Sequence, residues 1–174
     1  MSSTMSDETS RWIDAGRQAL ISGTLASVLS TGALAWLGRR EVGKPFAPTN
    51  ATSHWLWGDE ESFNAVEPSL RHTAIGYATH HASAFMWALF FHRWLAAERD
   101  RKPATVLRDA ALVSAVAACV DYGLVPKRLT PGFEAHLSRG SMVGVFAAIA
   151  AGLALGGLLA GRHERAMERA RTLD

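Results

Sequence analysis

Three stretches of the chain, 18–38, 73–91 and 140–161, contain no Asp, Glu, Lys or Arg. They run to 21, 19 and 22 residues, close to the ~20 that an α-helix needs to cross a hydrocarbon core. Charge-free runs of this length predict helices in lipid. The first span, 18–38, carries Ser22, Thr24, Ser27, Ser30 and Thr31 among its leucines and alanines and is closed by Arg39 and Arg40. Hydroxyls are tolerated in such a helix because they bond to carbonyls one turn back. The second, 72–92, is the clearest: Glu67 and Pro68 introduce it, and Arg93 beside Trp94 marks an interfacial exit.

A third span needs more allowance. Only 110–120 is charge-free there, and spanning length is reached by taking 103–125, with Arg108 and Asp109 towards one end and Asp121 towards the other. Arg108 can snorkel, and a carboxylate near an interface costs far less than one at the centre. The fourth span is 140–161. Thr130 followed by Pro131 predicts an N-cap, with a surface helix over Glu134, His136 and Arg139 before the chain enters the bilayer. The expected fold is therefore an all-α integral membrane four-helix bundle in a single domain of 174 residues, with outer loops 39–71 and 126–139.

Charge then orients it. Eleven of the 18 Lys and Arg residues lie on the side of the termini and the 93–108 segment, and seven lie in or beside the two loops. Positive charge concentrates on the cytoplasmic face, so both termini are expected there. With one cysteine in the whole chain there is no disulfide framework. The sequence has no phosphate-binding glycine loop, no C-x-x-C and no H-E-x-x-H. The basic tail after 161 is interleaved with Glu164 and Glu168, which argues against nucleic acid and for the lipid surface.

Helices in lipid associate through close backbone contact and side-chain hydrogen bonds. Ala148, Gly152, Gly156 and Ala160 form a smooth ridge on span four, matched on span one by Gly16, Gly23, Ser27 and Ser30. The ridge is read as packing inside the bundle, with homo-oligomerisation or contact with other membrane subunits as the alternative. On span two, steps of 100° gather Gly76, Tyr77, His80, His81, Ser83 and Trp87 on an inward face, and Ile75, Ala78, Ala82, Phe85, Met86 and Leu89 on a lipid face.

His80 and His81 sit near mid-span, where ionisable groups are rare and face protein or water. They diverge by about 100°, so they are read first as interhelical hydrogen-bonding groups, with Ser27, Ser30, Thr31 and Ser114 as partners. With Tyr77 and Asp121 they also form the candidate intramembrane polar site for proton or substrate movement. Asp121 is expected to pair with Lys127, Arg128 or Arg139. Metal or haem is a further candidate cofactor, through His54, His72 and His136 on the outer side, although none has the i, i+3 or i, i+4 spacing of a strong metal signature. Trp55 and Trp57 predict an interfacial segment at the bundle mouth, and Asn50-Ala51-Thr52 matches a glycosylation sequon.

The segments SHWLWG at 53–58 and DYGLVPKRLTPGFE at 121–134 resemble those of small bacterial inner-membrane proteins without an assigned activity. The resemblance implies the four-helix topology and a bacterial source, and it carries no catalytic residues. The functional expectation is a structural or accessory membrane protein. A small proton-linked transporter or channel is the second reading, and a metal- or haem-binding protein the third.

Overall fold

A computed structural model describes residues 2–95 and 102–171. Arg99 and Arg101, counted above in the 93–108 segment, lie outside the described residues. All regular structure among the described residues is helical. Four long helices are α1 (Ser2–Val42), α5 (Ile75–Leu95), α6 (Pro103–Gly123) and α7 (Arg139–Arg171). Between the first two lie three short ones, α2 (Ala47–Ala51), α3 (His54–Trp57) and α4 (Asp59–Asn64), then a π-turn over Leu70–Ala74.

The long helices alternate in direction. Ser22 faces His92 and Ser30 faces His80, which makes α1 and α5 antiparallel. Gly156 meets Ser22 and Gly152 meets Ala26, so α7 is antiparallel to α1 as well. Gly157 meets Val106, and Ser114 Oγ donates to the Phe146 carbonyl, which runs α6 antiparallel to α7. The α5–α6 contact is the slimmest side of the bundle.

The interior includes many small and polar side chains. Ala19, Ala26, Ala88 and Ala110 are completely buried, and so are Ser22, Ser27 and Ser30. Leu34, Phe91, Val145 and Leu153 are buried among them, while Leu20, Ile21, Val28, Trp36, Leu112, Val116 and Val143 are exposed. Contiguous apolar surface on this scale is unfavourable against water and favourable against lipid. Three helices, over Glu8–Val42, Pro103–Gly123 and Arg139–Arg162, are long and apolar enough to cross a membrane. The helix that looked clearest in the sequence is not among them. α5 lacks charges over most of its length, but its histidines, serine and threonine lower its hydropathy.

Several boundaries differ from expectation. α1 does not stop at Arg39 and Arg40 but runs to Val42, where Gly43 takes a φ of 70°. Pro68 is not the first residue of the next helix: Ser69 is the cap, its hydroxyl accepting the His72 N–H at 3.0 Å. The surface helix expected after Thr130 is absent. Gly132 adopts a φ of 90° against the Ala51 carbonyl, a conformation that breaks right-handed helix, and only a 3₁₀ turn over Phe133–Ala135 follows. α7 then starts at Arg139. Its first turn is closed by Glu41 at the far end of α1, which accepts from Ser138 N at 2.7 Å, from Ser138 Oγ at 2.9 Å and from Ser141 Oγ. A carboxylate is well suited to the positive end of a helix.

On α5 the buried positions are Gly76, His80, Ala84, Ala88 and His92, a strict four-residue repeat, with Phe91 beside them. Ala78, Ala82 and Met86 are exposed, in keeping with the outward face expected from the sequence. Phe85, assigned to that face, instead lies half-buried where its backbone crosses Gly23 of α1. The close crossing turns the seam, bringing Ala84 inside.

Candidate functional site

Two polar regions stand out: a seam between α1 and α5, and a folded cap over the end of the bundle formed by 39–71 and 126–138.

The seam consists of three serine–histidine hydrogen bonds. Ser30 Oγ lies 2.7 Å from His80 Nε2, Ser27 Oγ lies 2.7 Å from His81 Nδ1, and Ser22 Oγ lies 2.6 Å from His92 Nε2. Tyr77 Oη approaches Ser27 Oγ at 3.5 Å, and its ring sits 5.7 Å from that of His81. Ser30 Oγ donates to the Ala26 carbonyl at 2.7 Å, so it accepts from His80 Nε2–H, which sets the tautomer of that imidazole. Ser114, considered as a partner, bonds the Phe146 carbonyl instead. Thr31 Oγ1 is buried without a hydrogen bond. His92, read only as a marker of the span's end, belongs to the seam. Its signal was the four-residue spacing that runs from His80 through Ala84 and Ala88.

In the cap, Asn50 is fully buried. Its amide donates to the Ala65 and Glu67 carbonyls at 2.7 and 2.8 Å, and its oxygen accepts from Thr73 Oγ1 at 2.7 Å. The sequon is thus closed to glycosylation in the folded chain. Ser53 Oγ donates to the Asn50 carbonyl and sits 3.1 Å from His72 Nδ1. Trp57 lies in a short helix, with the Arg71 guanidinium 4.1 Å from the centre of its ring. Arg71 also reaches Glu61 at 2.7 Å, and this bond lowers the Glu61 carboxyl below its ordinary range.

The two loops interlock. His54 Nε2 and Trp55 Nε1 both bond the Thr130 carbonyl, at 2.9 and 2.8 Å, and Arg128 donates to the Trp55 carbonyl. His54 Nδ1 is 2.7 Å from Asp59. Both His54 nitrogens face acceptors, so neither offers a lone pair to a metal. His72 is engaged by Ser53 on one side and by Glu61 at 3.4 Å on the other. Burial pushes the His136 imidazole below its ordinary range, opposed by a hydrogen bond to the Phe63 backbone. Each of the three outer-side histidines therefore has its own neighbours. Among the described residues no group of three His, Cys, Asp or Glu side chains is placed to hold a metal.

The fourth candidate, Asp121, is half-buried near the end of α6. It forms no ion pair with Lys127, Arg128 or Arg139; Arg128 is turned towards Trp55. Asp121 and His80 instead share one cavity of about 150 Å³, walled by α3, α5, α6, α7 and the 125–133 segment. His80 stands edge-on to Phe133 there, with ring centroids 6.4 Å apart.

No family model, curated protein or solved structure matches the chain.

Proposed function

We propose that the chain is a four-span protein of the bacterial inner membrane, with both termini cytoplasmic and a structural or accessory role beside itself or other membrane subunits. The observation that carries this reading is the seam. Three histidines in a low-charge helix are each bonded to a serine of the neighbouring helix. Groups already satisfied across an interface act as helix–helix glue, which is how buried polar residues stabilise membrane bundles. The exposed leucines, isoleucines and valines on the outer faces support a lipid surround. The excess of Lys and Arg on the terminal side supports the orientation. Nothing in the charge pattern favours nucleic acid.

The first expected result is that the protein pellets with membranes after high-speed sedimentation and needs detergent to leave them. Recovery in the detergent-free supernatant would remove the bilayer from the account. The second concerns the seam. A double-mutant cycle with Ser30→Ala and His80→Ala is expected to give a coupling of about 0.6 kcal/mol, the average for such bonds in membrane bundles, read from unfolding in detergent.

A proton-linked transporter or channel is the second reading, favoured by one observation: His80 and Asp121 line the same cavity. Proteoliposomes decide between the two. Proton flux present in the wild type and lost in His80→Ala and Asp121→Asn moves the function to transport. Equal flux in empty and loaded vesicles leaves the seam as glue.

A further inference from the structure

The cavity shared by His80 and Asp121 has features that neither helix packing nor proton movement requires. Its volume is about 150 Å³, the size at which an engineered apolar cavity takes up benzene. Trp55, Trp87 and Phe133 place aromatic surface on its wall, and Asp121 adds a carboxylate. Among the described residues Asp121 has neither a hydrogen-bond donor nor a basic partner. The charge that acts on it is another carboxylate, Glu134. A charged group held beside apolar walls needs a counter-charge, and the chain does not supply one.

We propose that this cavity binds a substituted ammonium group. Aromatic faces attract compact organic cations through the ring quadrupole, most strongly where water is excluded. The Asp121 carboxylate would complete the site by neutralising the charge. A hard metal ion fits less well, because it demands six or more oxygens and most of this wall is apolar. An anion would meet the Asp121 carboxylate, with the charge of Glu134 acting in the same direction. His80 contributes ring surface, its Nε2 being occupied by Ser30. The ammonium could arrive as a free amine or as the headgroup of a lipid, and the cavity lies at the end of the bundle covered by the two loops. The proposal needs only the bundle and its cap, and stands apart from the accessory role.

The test uses the full chain in a maltoside detergent. Choline chloride is the probe, and 3,3-dimethylbutan-1-ol is its uncharged isostere. Calorimetry and the change in total tryptophan fluorescence are the readouts. Choline is expected to bind saturably and the alcohol much more weakly. Asp121→Asn and Trp87→Leu are each expected to weaken choline by roughly tenfold or more, since each removes one half of the recognition. A parallel arm incubates the protein with mixed vesicles of phosphatidylethanolamine, phosphatidylcholine and phosphatidylglycerol and identifies the lipid retained. Retention of the nitrogen-bearing lipids by the wild type but not by Asp121→Asn, without binding of free choline, assigns the ammonium to a headgroup. Equal binding of choline and alcohol, an Asp121→Asn variant that binds as the wild type does, or no binding in either arm overturns the proposal. Elution and thermal melting of both variants check folding, and Trp87→Leu carries the test if Asp121→Asn does not fold.

Discussion

Gly156→Ala is expected to destabilise the bundle by about 1–3 kcal/mol, the usual range for overpacking a close-packed interface, and Gly156→Leu by more. A methyl group at Gly156 would run into the Cα, Cβ and Oγ of Ser22. Ser22 has no room to yield, because it is fully buried and its hydroxyl is tied to His92 at 2.6 Å. The clash would therefore separate α7 from α1 or break the Ser22–His92 bond, and either costs stability. Gly140 is the control. A Cβ there meets nothing within 4 Å, so Gly140→Ala is expected to be neutral or slightly stabilising, as alanine is the better helix former. Chemical or thermal unfolding in detergent measures both. Equal effects at the two positions would mean that α1 and α7 are not packed in this register.

Asn50→Ala is the second large effect, expected at about 2–4 kcal/mol from three lost hydrogen bonds at roughly 1 kcal/mol each and the polar groups left unpaired. The Ala65 and Glu67 carbonyls and the Thr73 hydroxyl all lose their partner. Thr73 also accepts the Ser69 N–H at 2.9 Å, so the loss extends to the start of α5. Asn50→Asp keeps the volume but replaces two donors with an oxygen that faces two carbonyls, and is expected to be no better than alanine. Limited proteolysis reads the effect locally, with cleavage rising in 59–69 before the long helices open. A cap that resists protease as the wild type does in both variants would show that Asn50 does not hold it.

The long helices were legible because a missing charge is a one-dimensional signal. The span predicted at 103–125 and α6 (Pro103–Gly123) agree closely, as proline at the first turn sets φ and needs no donor there. The ridge of Gly152 and Gly156 was legible in the same way, since residues four apart share a helix face, and it meets α1 at Ala26 and Ser22. Gly16 and Gly23 show the limit of that reasoning. A Cβ on Gly16 meets nothing within 4 Å, and Gly23 packs on α5 rather than α7, because spacing identifies a smooth face but not its neighbour. The cap was the least legible part. Its helices span only 4–6 residues, too short for periodicity, and its bonds join residues up to 97 positions apart.

From the sequence alone came the helical class, the apolar faces and the rarity of charge at mid-span, because length, period and composition act locally along the chain. Tertiary structure alone decided which serine meets which histidine, why Asn50 is closed to modification, and that Asp121 lines a cavity with His80 rather than pairing with a nearby base. Those outcomes depend on helix register and on how two distant loops interlock. A hydrogen bond or a cavity wall is set by ångström-scale placement in three dimensions, which no spacing along one dimension encodes.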